Sequence, residues 1–240
     1  MPAERPGDAV AAEVLRGPRD AADVVTVADL RLTTLTPDEL LPEPEHVWYV
    51  SYGSNLLRER FEVYLLGGRV PGLSREYPGG PGTSPATHER AVVLPGRLRF
   101  ALDAPSWGGG GVAFWDPTTT GPGVLARAWR VRRHQFLEVV HLENGGEDRC
   151  AAPWPAQVLR DGHARVGDGW YSRLLHPGDL AGEPLLTFTH PEPGSLLTAA
   201  PSAAYRRVVC RGVVETFGQG ARGGLGADGA GAYLDAALEP

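Results

Sequence analysis

The sequence contains no lysine; all 23 of its basic residues are arginine. Two cysteines, Cys150 and Cys210, are too few for a disulfide framework, and no C-x-x-C pair is present to hold a metal. A reduced, cytoplasmic protein with neither metal nor other cofactor is therefore expected. No apolar run reaches the roughly 18 residues that span a bilayer, and Met1 to Asp8 carries no apolar segment of a secretory leader. A net charge of -6 without a basic stripe argues against nucleic acid as a partner. There is no G-x-S-x-G elbow, which disfavours an α/β-hydrolase. The histidines at 46, 88, 134, 141, 163, 176 and 190 show no H-x-x-x-H spacing. Gly108 to Gly111 is followed by no Lys-Ser/Thr, so it is not a phosphate loop. Four glycines in a row instead let one backbone pass close to another.

What is present is Ala, Arg, 32 Gly and 22 Pro, a composition expected of a GC-rich, bacterial genome and silent about chemistry. A length of 240 residues and 42% hydrophobic content suit one domain with decorated loops. Residues 1–45 read as a tail: 1–20 disordered, Val24 to Leu41 an edge strand or helix, Leu41 to Glu45 an extended linker. Val47 to Val50 reads as a buried strand and Leu56 to Leu66 as a helix with apolar residues at 57, 61, 64 and 65, stopped by Gly67-Gly68. Residues 69–90 read as a long loop. Short strands follow at Arg90–Leu94 and Arg97–Leu102, joined by Pro95-Gly96, and at Val112–Trp115 and Val124–Val131. Arg133 to Leu142 is a short amphipathic helix, 147–167 is irregular, and strands recur at Trp170–Leu175 and Leu185–Thr189. Helices at Ser202–Glu215 and 230–238 flank a Gly-rich stretch at 218–229. The pattern predicts an α+β fold, a small curved mixed sheet or barrel with flanking helices.

Two places carry chemistry. Tyr52-Gly53-Ser54-Asn55-Leu56 follows the first long strand and opens a helix. Its backbone N–H groups can converge on an anion, or Ser54 or Asn55 can simply cap the helix. Glu143 ends a helix, where its charge opposes the helix dipole. It is either a solvated last-turn residue or one placed there for function.

Tyr49 to Arg60 resembles the signature of the gamma-glutamylcyclotransferase-like superfamily, whose first strand ends in a Tyr-Gly-Ser-Asn-Leu loop. Trp107-Gly108-Gly109 through Phe114 is similar to the family's Trp-x-Gly-Gly strand. Gly123-Val124-Leu125, Ala128 to Val131 and the helix to Glu143 resemble its "G-V-x…W…L…E-G" segment, with 14 residues from Trp129 to Glu143. Pro201-Ser202, Tyr205 to Val209 and Gly212 look like its C-terminal segment. Two departures stand out. Asn144 replaces the family's Gly after the Glu, in a turn that Asn tolerates. The family's Gly-x-Tyr is matched by Gly169-Trp170-Tyr171, which implies an insertion of roughly 20 residues, about 147–168, at the mouth of the site.

The resemblance implies a domain over 46–240 that cleaves a γ-glutamyl amide. The substrate's own amine attacks the γ-carbonyl, closes 5-oxoproline and releases an amine. It implies Glu143 as the acid/base, the loop 52–55 as the holder of the carboxylate or developing oxyanion, and Leu56, Tyr171 and Tyr205 as pocket residues. The partner is then a small γ-glutamyl-like molecule, with a homodimer as one assembly this allows. The altered mouth keeps open a different acyl-transfer, deprotection or cyclisation step on an amino-acid-like or natural-product substrate. A third reading is a ligand-binding module without catalysis.

Overall fold

The structure is a computed structural model and describes residues 24–27, 43–69, 76–77, 79, 84–146, 156–218 and 224–239. Expectations for 1–20, 28–42, 70–75, 78, 80–83, 147–155 and 219–223 lie outside those residues. In chain order the elements are β1 (Val24–Thr26), β2 (His46–Ser51), a 3-10 turn (Ser54–Leu56), α1 (Arg58–Leu66), β3 (Gly68–Arg69), β4 (Glu76–Tyr77) and β5 (His88–Leu94). Then come β6 (Arg97–Ala101), β7 (Val112–Asp116), β8 (Val124–Arg132), α2 (Arg133–Glu143), α3 (Gln157–Asp161) and β9 (His163–Arg165). The chain ends with β10 (Arg173–Leu180), β11 (Glu183–Thr189), α4 (Ala203–Phe217) and α5 (Ala227–Ala236). The fold is α+β, as expected. A seven-stranded sheet runs β1-β5-β8-β2-β11-β10-β9, with β1 and β9 at its two ends. It is mixed: β2 pairs antiparallel with β8 and parallel with β11. The pairs β3-β4 and β6-β7 form two smaller sheets.

Strand β2 lies at the centre and is buried on both faces, which explains its unbroken apolar run. Val47 and Tyr49 face a cluster built from Phe61, Tyr64 and Leu65 of α1 and Phe136, Val139 and Val140 of α2. Trp48 and Val50 face the opposite cluster, with Phe100 of β6, Phe114 of β7, and Tyr205, Val209 and Val213 of α4. The period of two along one strand thus assigns residues to two cores. The end of β2 is where the chain turns between them.

Several expectations need correction. The 69–90 loop is shorter than predicted, because β5 starts at His88 and β3 pairs with β4. The segment His88-Glu89-Arg90 is polar, so it gave no strand signal. Strands β5 and β6 are joined at Pro95-Gly96, as expected, and they do not pair with each other. Both sides of β5 are already taken, by β8 and β1, so β6 leaves for the smaller sheet with β7. Part of the segment read as irregular, 147–167, is ordered into α3 and β9, and β9 pairs with β10. Strand β10 starts at Arg173, later than predicted. It runs through Pro177 with a register break between Leu175 and Gly178, which masked its length. The expectation for Gly108–Gly111 holds in a specific form. The Gly111 N–H donates to Ala200 O at 2.9 Å, and a Cβ on Gly110 would lie 2.7 Å from that same oxygen. Among the described residues no helix is long and apolar enough to cross a membrane.

Candidate active site

The turn after β2 is set by close packing. Gly53 has φ -113°, an ordinary value, so left-handed freedom is not what selects it. A Cβ there would stand 2.9 Å from the Tyr205 hydroxyl and 3.3 Å from the Ala113 Cβ. The absence of a side chain lets the loop lie against α4 and β7. Gly212 does the same one layer down, where a Cβ would meet the Leu57 N at 2.6 Å.

The helix-cap reading of the loop fails. Helix α1 is preceded by Leu57, with no side-chain cap. Asn55, 3% exposed, instead points across the fold. Its Nδ2 donates to the Glu143 Oε1 at 2.9 Å and to the Tyr49 hydroxyl at 3.1 Å. Its Oδ1 is buried without a hydrogen-bond partner. In a 3-10 turn the first N–H groups have no partner inside the turn; here the Ser54 backbone is hydrogen-bonded to the Tyr205 hydroxyl.

From below, the loop is bolted down. The Trp129 indole N–H donates to Asn55 O at 3.0 Å and to Ser51 Oγ at 3.2 Å. The Arg127 side chain, 4% exposed, lies with its guanidinium carbon 4.0 Å from the Trp129 ring centroid. It donates to Leu56 O at 3.0 Å and to the Glu215 carboxylate at 2.7 Å, with Glu89 as a further partner. Both residues are in contact with the backbone of the loop and fix it before any ligand arrives.

Glu143 faces this loop across a chamber of about 120 Å³. The chamber is lined by Tyr49, Tyr52, Gly53, Ser54, Asn55, Trp107, Glu143, Trp170, Tyr171, Phe188 and Tyr205, among others. Of the residues singled out in the sequence, Glu143, Tyr52, Gly53, Ser54, Asn55, Tyr171 and Tyr205 therefore meet in one place. Leu56 does not: it is fully buried in the core beside α4, and only its backbone oxygen serves the loop, as Arg127's acceptor.

The tyrosines are wired to the backbone. Tyr52 donates to Phe188 O at 2.6 Å. Tyr171 donates to Ala113 O at 3.0 Å, and the Ala113 N–H donates to the Tyr205 hydroxyl at 3.1 Å. Burial holds the hydroxyls of Tyr49, Tyr52, Tyr171 and Tyr205 well above the usual tyrosine pKa, with the negative charge of Glu143 adding to it. They stay protonated, as donors and acceptors, through neutral pH.

Asn144 does not act as the stand-in for a left-handed glycine. Its φ is -93°, and the left-handed position falls on Gly145, φ 83°. Its side chain has another task. Oδ1 accepts from the Tyr171 N–H at 3.0 Å, and Nδ2 donates to Tyr171 O at 3.2 Å and to Val140 O at 2.8 Å. This two-way clamp carries Tyr171 back to Glu143 over the intervening segment. Tyr49, Trp107, Trp170 and Phe188 also line the chamber and were not predicted as site residues. Tyr49 and Phe188 read in the sequence as strand core, since an aromatic that packs and an aromatic that lines a chamber have the same spacing.

Comparison with known proteins gives few matches. No family model matches the chain. Histone deacetylase 5 of Arabidopsis thaliana is 30% identical over 211 residues, which is 80% of this chain. The chain spans only about a third of that plant protein, 31% of its length. Among solved structures, the uncharacterized Homo sapiens protein loc79017 aligns with TM-score 0.46 and 19% identity, covering 82% of this chain and 90% of the other. A gamma-glutamyl cyclotransferase aligns with TM-score 0.41 and 17% identity over 72% of this chain and 80% of its own.

Proposed function

We propose that this chain is a gamma-glutamylcyclotransferase-like enzyme that cleaves a γ-glutamyl amide to 5-oxoproline and a free amine. The observation that carries this reading is Glu143, hydrogen-bonded from Asn55 at 2.9 Å and facing the loop 52–55 across a small chamber. A chamber of about 120 Å³ is below the ~300–1,000 Å³ of pockets for drug-sized ligands, and it suits an amino-acid head group.

The reaction needs no nucleophile from the protein. The substrate's α-ammonium, with a free pKa near 7.7–8, gives a proton to the Glu143 carboxylate. The freed amine attacks the γ-carbonyl carbon, and a C–N bond forms as the carbonyl π electrons move to oxygen. In this reading the loop N–H groups receive that oxyanion, or the α-carboxylate. Collapse of the intermediate breaks the bond to the leaving nitrogen, which takes the proton back from Glu143; the ring nitrogen passes its extra proton to the departing amine, so 5-oxoproline leaves as the neutral lactam and the amine as an ammonium. Holding amine and carbonyl together in a walled chamber supplies several kcal/mol by orientation alone. The Asn55 hydrogen bond keeps Glu143 aimed at the loop.

The test is Glu143→Gln. It keeps the shape and is expected to leave the fold intact while 5-oxoproline release drops at least a hundredfold. Full turnover in that variant rules the mechanism out. A second reading, another acyl-transfer or deprotection step on a larger amide, draws on a wider space beyond Glu143, about 470 Å³. A panel of γ-glutamyl dipeptides, glutathione and γ-glutamyl amines separates the two: no turnover of any favours the second. Tight 5-oxoproline binding with no turnover favours a binding module.

A further inference from the structure

That wider space has a feature of its own. The inner chamber and the outer one share Ser106, Trp107, Glu143 and Trp170, so Glu143 stands at their junction. The outer chamber is lined in addition by Arg60, Tyr64 and Tyr77. Arg60 belongs to α1 and is 3% exposed. Its Nη2 donates to the Tyr64 hydroxyl at 2.5 Å. Its guanidinium carbon lies 4.1 Å from the Tyr64 ring centroid, 5.4 Å from that of Tyr77 and 6.0 Å from that of Trp107. The remaining donor nitrogens, Nε and Nη1, are buried and have no hydrogen-bond partner.

A buried guanidinium kept only for packing normally has its donors satisfied, because each unmade bond costs desolvation. Arg60 is held in a cage of aromatic faces with donor capacity left over. The chemistry that completes it is a planar or tetrahedral oxyanion. Among the described residues two carboxylates line the chamber. Asp168, at the mouth, has a side chain 96% exposed and is paired with Arg165 at 3.1 Å. Burial opposes the charged form of Arg60, while the nearby Tyr64 and Glu143 favour it, and Glu143 is itself hydrogen-bonded from Asn55. Arg60 thus offsets the repulsion that Glu143 would exert on an incoming anion.

We propose that the outer chamber is an oxyanion-binding subsite anchored by Arg60, which takes a carboxylate or phosphate on the part of a ligand that extends past Glu143. The placement of that anion on a leaving group rests on the γ-glutamyl reading; the existence of the subsite does not.

The test uses the whole chain and two simple probes, acetate and inorganic phosphate, followed through the indole N–H signals of Trp107 and Trp170. Saturable shifts of these two signals are expected with at least one probe, and the more effective probe identifies the anion. Arg60→Gln is expected to weaken that binding at least tenfold, with Arg60→Lys in between. No saturable shift in the wild-type chain, or the same affinity in folded Arg60→Gln, overturns the subsite. If Arg60→Gln does not fold, the wild-type shift and Arg60→Lys still decide. In parallel, γ-glutamyl-glycine is expected to exceed the uncharged γ-glutamyl-glycinamide at least tenfold in kcat/KM. Equal values overturn the placement on the leaving group. Turnover of neither, with Arg60-dependent shifts intact, overturns the γ-glutamyl reading and keeps the subsite.

Discussion

At the scale of single residues, the site depends on what is missing at Gly53. The residue is needed for the space it leaves to Tyr205 and Ala113, 2.9 Å and 3.3 Å from a Cβ. Gly53→Ala is therefore expected to fold with a loss of about 1–3 kcal/mol from overpacking, read from its denaturant midpoint. Because the nearest atom is the Tyr205 hydroxyl, removing that oxygen should relieve part of the strain. Gly53→Ala with Tyr205→Phe should then lose less stability than the two changes summed, by ~0.5 kcal/mol or more. Strict additivity would mean that Ala113, and not Tyr205, sets the limit. Asn55 is the complementary case. Its amide hydrogens are committed to Tyr49 and Glu143, and its oxygen is buried with no partner, an unsatisfied acceptor held at the chamber wall. The residues of the loop were legible in the sequence as candidates. Whether Ser54 or Asn55 caps the helix was not, because a capping and a non-capping loop use the same letters and only the direction of the side chain separates them.

At the scale of elements, periodicity located most of the frame. Strand β2, helix α2 and helix α4 fall within one or two residues of where alternation and helical spacing put them. What failed were segments whose partners lie far away in sequence. The pairing of β9 with β10 and the late start of β10 are decided by which sheet edge is free. No local pattern contains that information. The same holds for Asn144: a departure in a turn motif turned out to clamp Tyr171 across 27 residues. The joint between β2, β8 and the loop offers the clearest test at this scale. Trp129 packs at 5.0 Å against Phe61, and its N–H bridges Asn55 O and Ser51 Oγ. Trp129→Phe keeps most of the aromatic surface but leaves those acceptors without their donor. It should cost about 1–3 kcal/mol and lower kcat more than it raises KM, since the loop would still bind but no longer be held in place. An unchanged kcat would show that Arg127 alone secures the loop.

At the scale of the whole molecule, the two cores meet through aromatic residues around a charge. Tyr49 stacks on Phe188 at 5.3 Å and Tyr171 on Phe114 at 4.9 Å. Tyr52, Tyr64 and Tyr205 complete a set of buried hydroxyls whose pKa values burial raises, with Glu143 contributing in each. Tyr233, whose hydroxyl accepts from the Leu125 N–H at 3.0 Å, is raised by burial as well. These six groups make the fold sensitive to alkali in a definite direction. In the unfolded chain tyrosines ionise near pH 10, whereas in the folded chain these six keep their protons to higher pH. Above about pH 10 the unfolded state binds fewer protons than the folded one, so stability falls as pH rises; below it, these groups contribute no pH dependence. Each adds a slope of up to about 1.4 kcal/mol per pH unit, so a few tenths of a unit past the onset removes several kcal/mol when all six act together. Denaturant midpoints measured from about pH 8 to about pH 11 should stay flat and then drop steeply. Tyrosinate absorbance from these residues should appear together with loss of the folded signal in one cooperative step. Gradual ionisation of six tyrosines near pH 10 with the fold intact would mean that their hydroxyls reach solvent and that burial does not hold their protons.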